Sequence, residues 1–87
     1  MRRYDVTVSA KASDWLEACR DTKLKRRIAN AIEALADVPR PPGCVKPAGE
    51  SGVWRVRVGD FRILYEVHDD RLVVLVIRIA NRREAYR

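Results

Sequence analysis

The chain has 87 residues, 47% hydrophobic and 34% charged, which at roughly 100–200 residues per domain allows one domain, residues 1–87, and no second one. That apolar content excludes a disordered chain, and no apolar run approaches the ~20 residues of a membrane-spanning helix. Eighteen Lys and Arg against 12 Asp and Glu leave a net charge of +6, with Arg supplying most of the cations.

An acid at the fifth residue, Asp5, is unlike a signal peptide, so a cytoplasmic location without a membrane partner is expected. The charge balance points to a polyanionic partner, nucleic acid or an acidic protein. A basic surface that only keeps the protein soluble is the plainer alternative. So small a core is marginal, and a partner protein could stabilise it.

Tyr4 to Val8 alternates and is rich in β-branched residues, which predicts a first strand. Ser9 can cap a following helix whose apolar positions Ala12, Trp15, Leu16 and Cys19 keep i, i+3, i+4, i+7 spacing. A break at Arg20-Asp21-Thr22 leads into a second, longer helix with Leu24, Ile28, Ala31, Ile32, Leu35 and Val38 on one face. Lys23, Lys25, Arg26 and Arg27 crowd the first turns of that helix, where the macrodipole disfavours cations by roughly 0.3–1 kcal/mol each. Either a polyanion docks there or the side chains are well solvated.

Pro39, Pro41, Pro42 and Gly43 then impose a loop that runs irregularly to Gly52. Val53 to Val58 alternates, Gly59-Asp60 has the glycine of a type II′ turn, and Phe61 to Val67 returns as the second strand of a hairpin. A last strand spans Arg71 to Ala80, and its run Leu72 to Ile77 is apolar on both faces, as expected of a central strand covered on both sides. The order β-α-α-β-β-β predicts an α+β fold: an N-terminal strand, a helical hairpin, and a three-stranded antiparallel meander completing a four-stranded sheet.

Cys19 reads as a buried helix residue and Cys44 as a loop thiol, both reduced. They have no metal-ligand spacing, and His68 is the single histidine. No metal or cofactor is expected. His68 reads as an exposed polar residue.

A two-residue turn pairs Val58 with Phe61, Arg57 with Arg62, Val56 with Ile63 and Arg55 with Leu64, and opposed residues share a face. Trp54, Val56, Val58, Phe61, Ile63 and Tyr65 then form an apolar face suited to burial under the helices. Arg55, Arg57 and Arg62 gather on the other face. Like charges opposed across strands are destabilising, so an anion such as phosphate would compensate them. A solvated face, with Glu66 in the same row, is the alternative. A two-residue turn at Asp69-Asp70 would point Arg78 at the helices, so a longer turn or a bulge is expected to shift the register there.

The C-terminal segment Asn81 to Arg87 is basic and carries Tyr86. Arg beside Tyr suits single-stranded RNA, the cation taking phosphate and the ring stacking on a base, though Tyr86 can equally pack on the domain. No Ser-His-Asp set, paired carboxylates or phosphate-cradling glycine loop can be assembled. An enzyme with this inventory works by positioning and arginine-based charge stabilisation, as in attack of a 2′-hydroxyl on the adjacent phosphate.

The stretch Trp54 to Val67, with its Arg-Val-Gly-Asp-Phe-Arg core, then a hydrophobic strand and Arg82-Arg83-Glu84-Ala85-Tyr86, resembles the RelE/ParE toxin superfamily of bacterial toxin–antitoxin modules. The similarity covers nearly the whole chain. It implies a small toxin held inactive by a cognate antitoxin and acting, in the RelE branch, as a ribosome-dependent endonuclease that cleaves mRNA without a metal and leaves a 2′,3′-cyclic phosphate. Arg55 and Arg57 fall on positions credited with activating the 2′-hydroxyl and binding phosphate, and Arg62 on the position stabilising the transition state. Arg82 falls on the position that protonates the leaving oxygen, and Tyr86 on the aromatic that orients a base. Lys23, Lys25, Arg26, Arg27, Lys46 and Arg83 are candidates for RNA and ribosome contacts, and operator DNA is a further partner through the antitoxin complex.

Well-studied members carry lysines where this chain has Arg55 and Arg57, and a guanidinium with a pKa above ~12 is a poor general base. Asn81 stands where many relatives have a histidine, and Ala48 where they have a leucine. The C-terminal helix that extends some members is not expected beyond Arg87. Two other readings accompany the resemblance: the ParE branch, whose members inhibit DNA gyrase and are not nucleases, and a degenerate member that keeps only antitoxin binding and autoregulation.

Overall fold

The computed structural model describes residues 3–46 and 52–81. The elements follow the predicted order: β1 (Asp5–Val8), α1 (Ala10–Ala18), α2 (Thr22–Ala34), β2 (Val53–Val58), β3 (Phe61–His68) and β4 (Val73–Asn81). They form one four-stranded sheet in the order β1-β4-β3-β2. The meander is antiparallel, whereas β1 lies parallel to β4, Asp5 opposite Val73 through Val8 opposite Val76. The helical hairpin is the crossover that a parallel pair requires.

Both helices start on side-chain caps. Ser9 Oγ accepts from the Ala12 amide at 3.2 Å, and Asp21 Oδ1 accepts from Leu24 at 3.1 Å. The Asp21 carboxylate also places an acid at the end of α2 where Lys23, Lys25, Arg26 and Arg27 crowd together, easing their conflict with the macrodipole. Two helix-face expectations need correction. Cys19 is the half-buried C-cap of α1, its Sγ turned to the Asp21 carbonyl, and not a buried helix residue. Val38 lies beyond α2 and is half exposed, because α2 closes at Leu35 in a tighter last turn ahead of the prolines.

The core lies between the helices and one sheet face. Ala12 of α1, Ile28 and Ile32 of α2 and Leu35 meet Val58, Ile63, Tyr65, Val74, Val76 and Ile79 of the sheet. Trp54, Val56 and Phe61 pack against this cluster partly buried, so the apolar face predicted from the hairpin is the inner face. The Trp15 ring meets Phe61 edge-on, with centroids 5.3 Å apart. β4 is central, and among the described residues the helices cover its inner face, while Ala80 on the opposite face is also buried. Val74 and Val76 are buried while Val73, Leu75 and Ile77 are half-buried, since both described helices lie on the inner face.

The β2–β3 turn is as expected. Gly59 has φ of 59° and Asp60 a negative φ, the pattern of a type II′ turn. The β3–β4 connection is longer than two residues, with Leu72 in the left-handed region at φ 54° and His68 paired to Val73. That lengthening by two leaves the alternation of faces unchanged. What changes it is a bulge: Leu64 pairs with Arg78 and Tyr65 with Val76, leaving Ile77 as the extra residue. One inserted residue transfers Arg78 from the inner face to the open face.

The proline loop is tied across the end of the sheet. Tyr65, fully buried, donates its hydroxyl to the Pro39 carbonyl at 2.8 Å. Arg40 grips Asp69 with both nitrogens at 3.1 and 2.7 Å and lies over the Trp54 ring, 5.2 Å from its centroid. Tyr4 donates to the same carboxylate. The hydrogen bonds from Arg40, then from Tyr4, hold the Asp69 carboxyl down at about 2. A carboxyl depressed by folding stabilises above its unfolded pKa of about 4, and that contribution is lost as pH falls through the folded value. Asp69→Asn should therefore melt below the parent protein at neutral pH, the two converging between about pH 4 and pH 2. Thermal melts across that range check this, and a gap that stays constant down to the acid end contradicts it.

Candidate functional site

The site is built on the hairpin register. Arg57 lies opposite Arg62, and Arg55 opposite Leu64, all with their Cα positions on the open-face register of β2 and β3. The three arginines line a cleft of about 270 Å³ together with Gly43 and Val45. This is at the small end of ligand-sized cavities, enough for a phosphodiester and its immediate sugar. The wall opposite the arginines comes from the proline loop. Val45 forms an antiparallel bridge to Arg55, its amide donating at 2.8 Å and its carbonyl accepting at 2.9 Å. This bridge pairs the β2 edge at Arg55, and Lys46, exposed and next to Val45 in sequence, does not itself line the cleft.

The guanidinium groups differ in setting. Arg57 is exposed and donates Nε to the Gly59 carbonyl at 2.9 Å, which ties its head towards the turn. Arg55 and Arg62 are half-buried. Arg55 Nε is shielded from solvent with no acceptor within hydrogen-bonding distance, and Arg62 Nη1 is likewise shielded. A buried cationic donor lacking an acceptor costs its desolvation energy, roughly 1–3 kcal/mol or more, which an anion seated in the cleft would recover.

Of the predicted binding cations on α2, Arg27 reaches the β2–β3 turn: a Cβ placed on Gly59 would lie 3.5 Å from its Nη1. Arg27 and Arg57 thus flank the same turn, one from each side of the sheet. Lys23, Lys25 and Arg26 lie on α2 and do not line the cleft. Arg82, Arg83 and Tyr86 lie outside the described residues. His68 is half-buried rather than exposed, with its Nε2 2.9 Å from Glu66 Oε1. Two parts of the site carry little signal in the sequence. Val45 bridges β2 from within a loop, and its only sign is one β-branched residue beside Lys46. Arg78 shares the open-face row of Arg55 and Leu64, and its sign is the parity of the β3–β4 register.

A family profile described as the ParE toxin of the type II toxin–antitoxin system parDE matches residues 6–86. The chain belongs to this toxin family. Solved structures of the wider RelE/ParE superfamily share its fold. The archaeal RelE of the RelE–RelB complex from Pyrococcus horikoshii superposes with a TM-score of 0.79 at 22% identity, over 92% of this chain and 96% of that one. The RelBE2 toxin–antitoxin complex from Mycobacterium tuberculosis matches with a TM-score of 0.61 at 29% identity, over 92% and 99% of the two chains. The chromosomal ParDE system from P. aeruginosa gives 0.73 at 18% identity, over 93% and 98%. No curated protein sequence matches the toxin. Among the described residues no helix is long and apolar enough to cross a membrane.

Proposed function

We propose that this toxin is a ribosome-dependent mRNA endonuclease held inactive by a cognate antitoxin, and that the Arg55–Arg57–Arg62 cleft seats the scissile phosphate. The observation that carries the reading is the cleft itself: three guanidinium groups around about 270 Å³, one with a shielded nitrogen lacking an acceptor. In the proposed reaction the 2′-oxygen forms a bond to phosphorus while the bond to the 5′-oxygen breaks, leaving a 2′,3′-cyclic phosphate and a 5′-hydroxyl. Charge grows on the non-bridging oxygens, and forked guanidinium donors aimed at that charge lower the barrier. Arg55 and Arg57 hold the phosphate and favour loss of the 2′-proton electrostatically; neither accepts that proton, which passes to solvent water, and water in turn restores the proton that Arg82 gives to the leaving oxygen. Arg82 protonates the leaving oxygen and Tyr86 stacks on a base. Lys23, Lys25, Arg26, Arg27, Lys46 and Arg83 hold the ribosome and RNA, and the antitoxin complex carries the link to operator DNA.

The match to the ParE profile favours a second reading, inhibition of DNA gyrase. The two separate in one experiment. Purified toxin is incubated with mRNA, with and without programmed ribosomes, and the cut ends are mapped by primer extension. Cuts confined to the tube with ribosomes are expected. Intact mRNA in both tubes from folded protein overturns the nuclease reading, and inhibition of gyrase supercoiling by the same preparation then establishes the second.

A further inference from the structure

Arg78 occupies an unusual place for a charged residue. It sits on the central strand β4, between Ile77 and the buried Ile79, in a stretch otherwise apolar from Val73 to Ala80. The even alternation of β4 would turn it into the core. The bulge at Ile77 prevents this, and the bulge is pinned from the other end of the chain. Ser9 donates its Oγ to the Ile77 carbonyl at 2.6 Å and its amide to the Val76 carbonyl at 2.9 Å. The residue that caps α1 thus also holds the irregularity that re-aims Arg78, and bulges beside functional sites act in this way.

On the open face Arg78 is opposite Leu64, and Leu64 is opposite Arg55. Ala80 is opposite Arg62, so Arg78 is the diagonal neighbour of Arg62. Diagonal neighbours on a sheet stand roughly 7–8 Å apart, within reach of long side chains. Arg62 is therefore flanked by Arg57 directly across β2 and by Arg78 diagonally across β4. Four arginines on one sheet face exceed what a single phosphate can accept. They suit a strand with more than one phosphate lying across β2, β3 and β4.

We propose that Arg78 is a fourth arginine of the RNA-binding face and holds the phosphate next to the one seated at Arg62. This rests on the nuclease reading for its substrate class. Its test is binding, so that the two can fail separately. The probe is a short single-stranded RNA, 2′-O-methylated throughout so that it cannot be cut, titrated at several salt concentrations with the parent toxin, Arg78→Gln, Arg78→Lys and Arg62→Gln. On single-stranded RNA, each phosphate that the protein no longer neutralises lowers the slope of log affinity against log salt by about 0.7. Arg78→Gln should lower it by that amount and weaken binding roughly tenfold at low salt, and Arg78→Lys should restore most of the slope. An unchanged slope for Arg78→Gln, with Arg62→Gln showing the drop, overturns the assignment of Arg78 and leaves the nuclease reading standing. Parent toxin that binds no RNA at low salt, with the Arg62 variant silent too, overturns the assignment of Arg78 and leaves the nuclease reading to the ribosome assay.

Discussion

Arg62→Ala should lower ribosome-dependent mRNA cleavage by about 10²–10³-fold, the range found when one preorganised donor to a developing oxyanion is removed. Arg62 is the arginine best placed for that role. It lies on β3, an interior strand of the sheet, opposite Arg57 and Ala80, is half-buried, and has one terminal nitrogen shielded from water. A guanidinium partly withdrawn from solvent interacts more strongly with phosphate than an exposed one, because the local dielectric is lower. Arg62→Lys keeps the charge and loses the two-pronged fork, so it should fall between the parent and the alanine variant. Single-turnover cleavage on programmed ribosomes measures both, with thermal melting and antitoxin binding as the check that the fold is intact. A loss below about tenfold for a folded Arg62→Ala protein would remove Arg62 from the centre of the reaction.

Ile63→Ala should destabilise the toxin by about 2–5 kcal/mol, the usual range for truncating a fully buried isoleucine. Ile63 is 0% exposed and pairs with Val56 on one side and Ile79 on the other, at the middle of the inner face. For a domain whose whole stability is of order 5–15 kcal/mol, that is a large share. At roughly 4–8 °C per kcal/mol, the midpoint of thermal unfolding should drop by about 10 °C or more. Calorimetry or urea unfolding reads the change directly, and a loss under about 1 kcal/mol would mean the core closes over the missing atoms. Ile63 adjoins Arg62 in sequence but points the opposite way. Folded Ile63→Ala protein should therefore cleave at a rate near the parent's, which separates damage to the core from damage to the cleft.

Features that rest on local chemistry can be read from the residues alone. Gly59 admits the positive φ of a two-residue turn, and that turn alone sets the pairing of Arg57 with Arg62 and of Val56 with Ile63. The arginine face and the apolar face follow from alternation, so both are legible in the residues alone. The helices are legible from their spacing and from Ser9 as a cap, except at their ends, where Cys19 and Val38 continue the apolar period past the last helical residues, Ala18 and Ala34.

Features that depend on residues distant in the chain emerge from the folded arrangement. The parallel docking of β1 on β4, the Val45 bridge that walls the cleft and the Arg40–Asp69–Tyr4 cluster all join segments with no local signal for each other. The same holds for the face of Arg78. Local pattern indicates that an even register would bury it, and leaves open which irregularity prevents that. The answer lies in Ser9 and Ile77, 68 residues apart in sequence and 2.6 Å apart in the fold. A single added residue reverses every face beyond it, and a non-local hydrogen bond holds that residue in place.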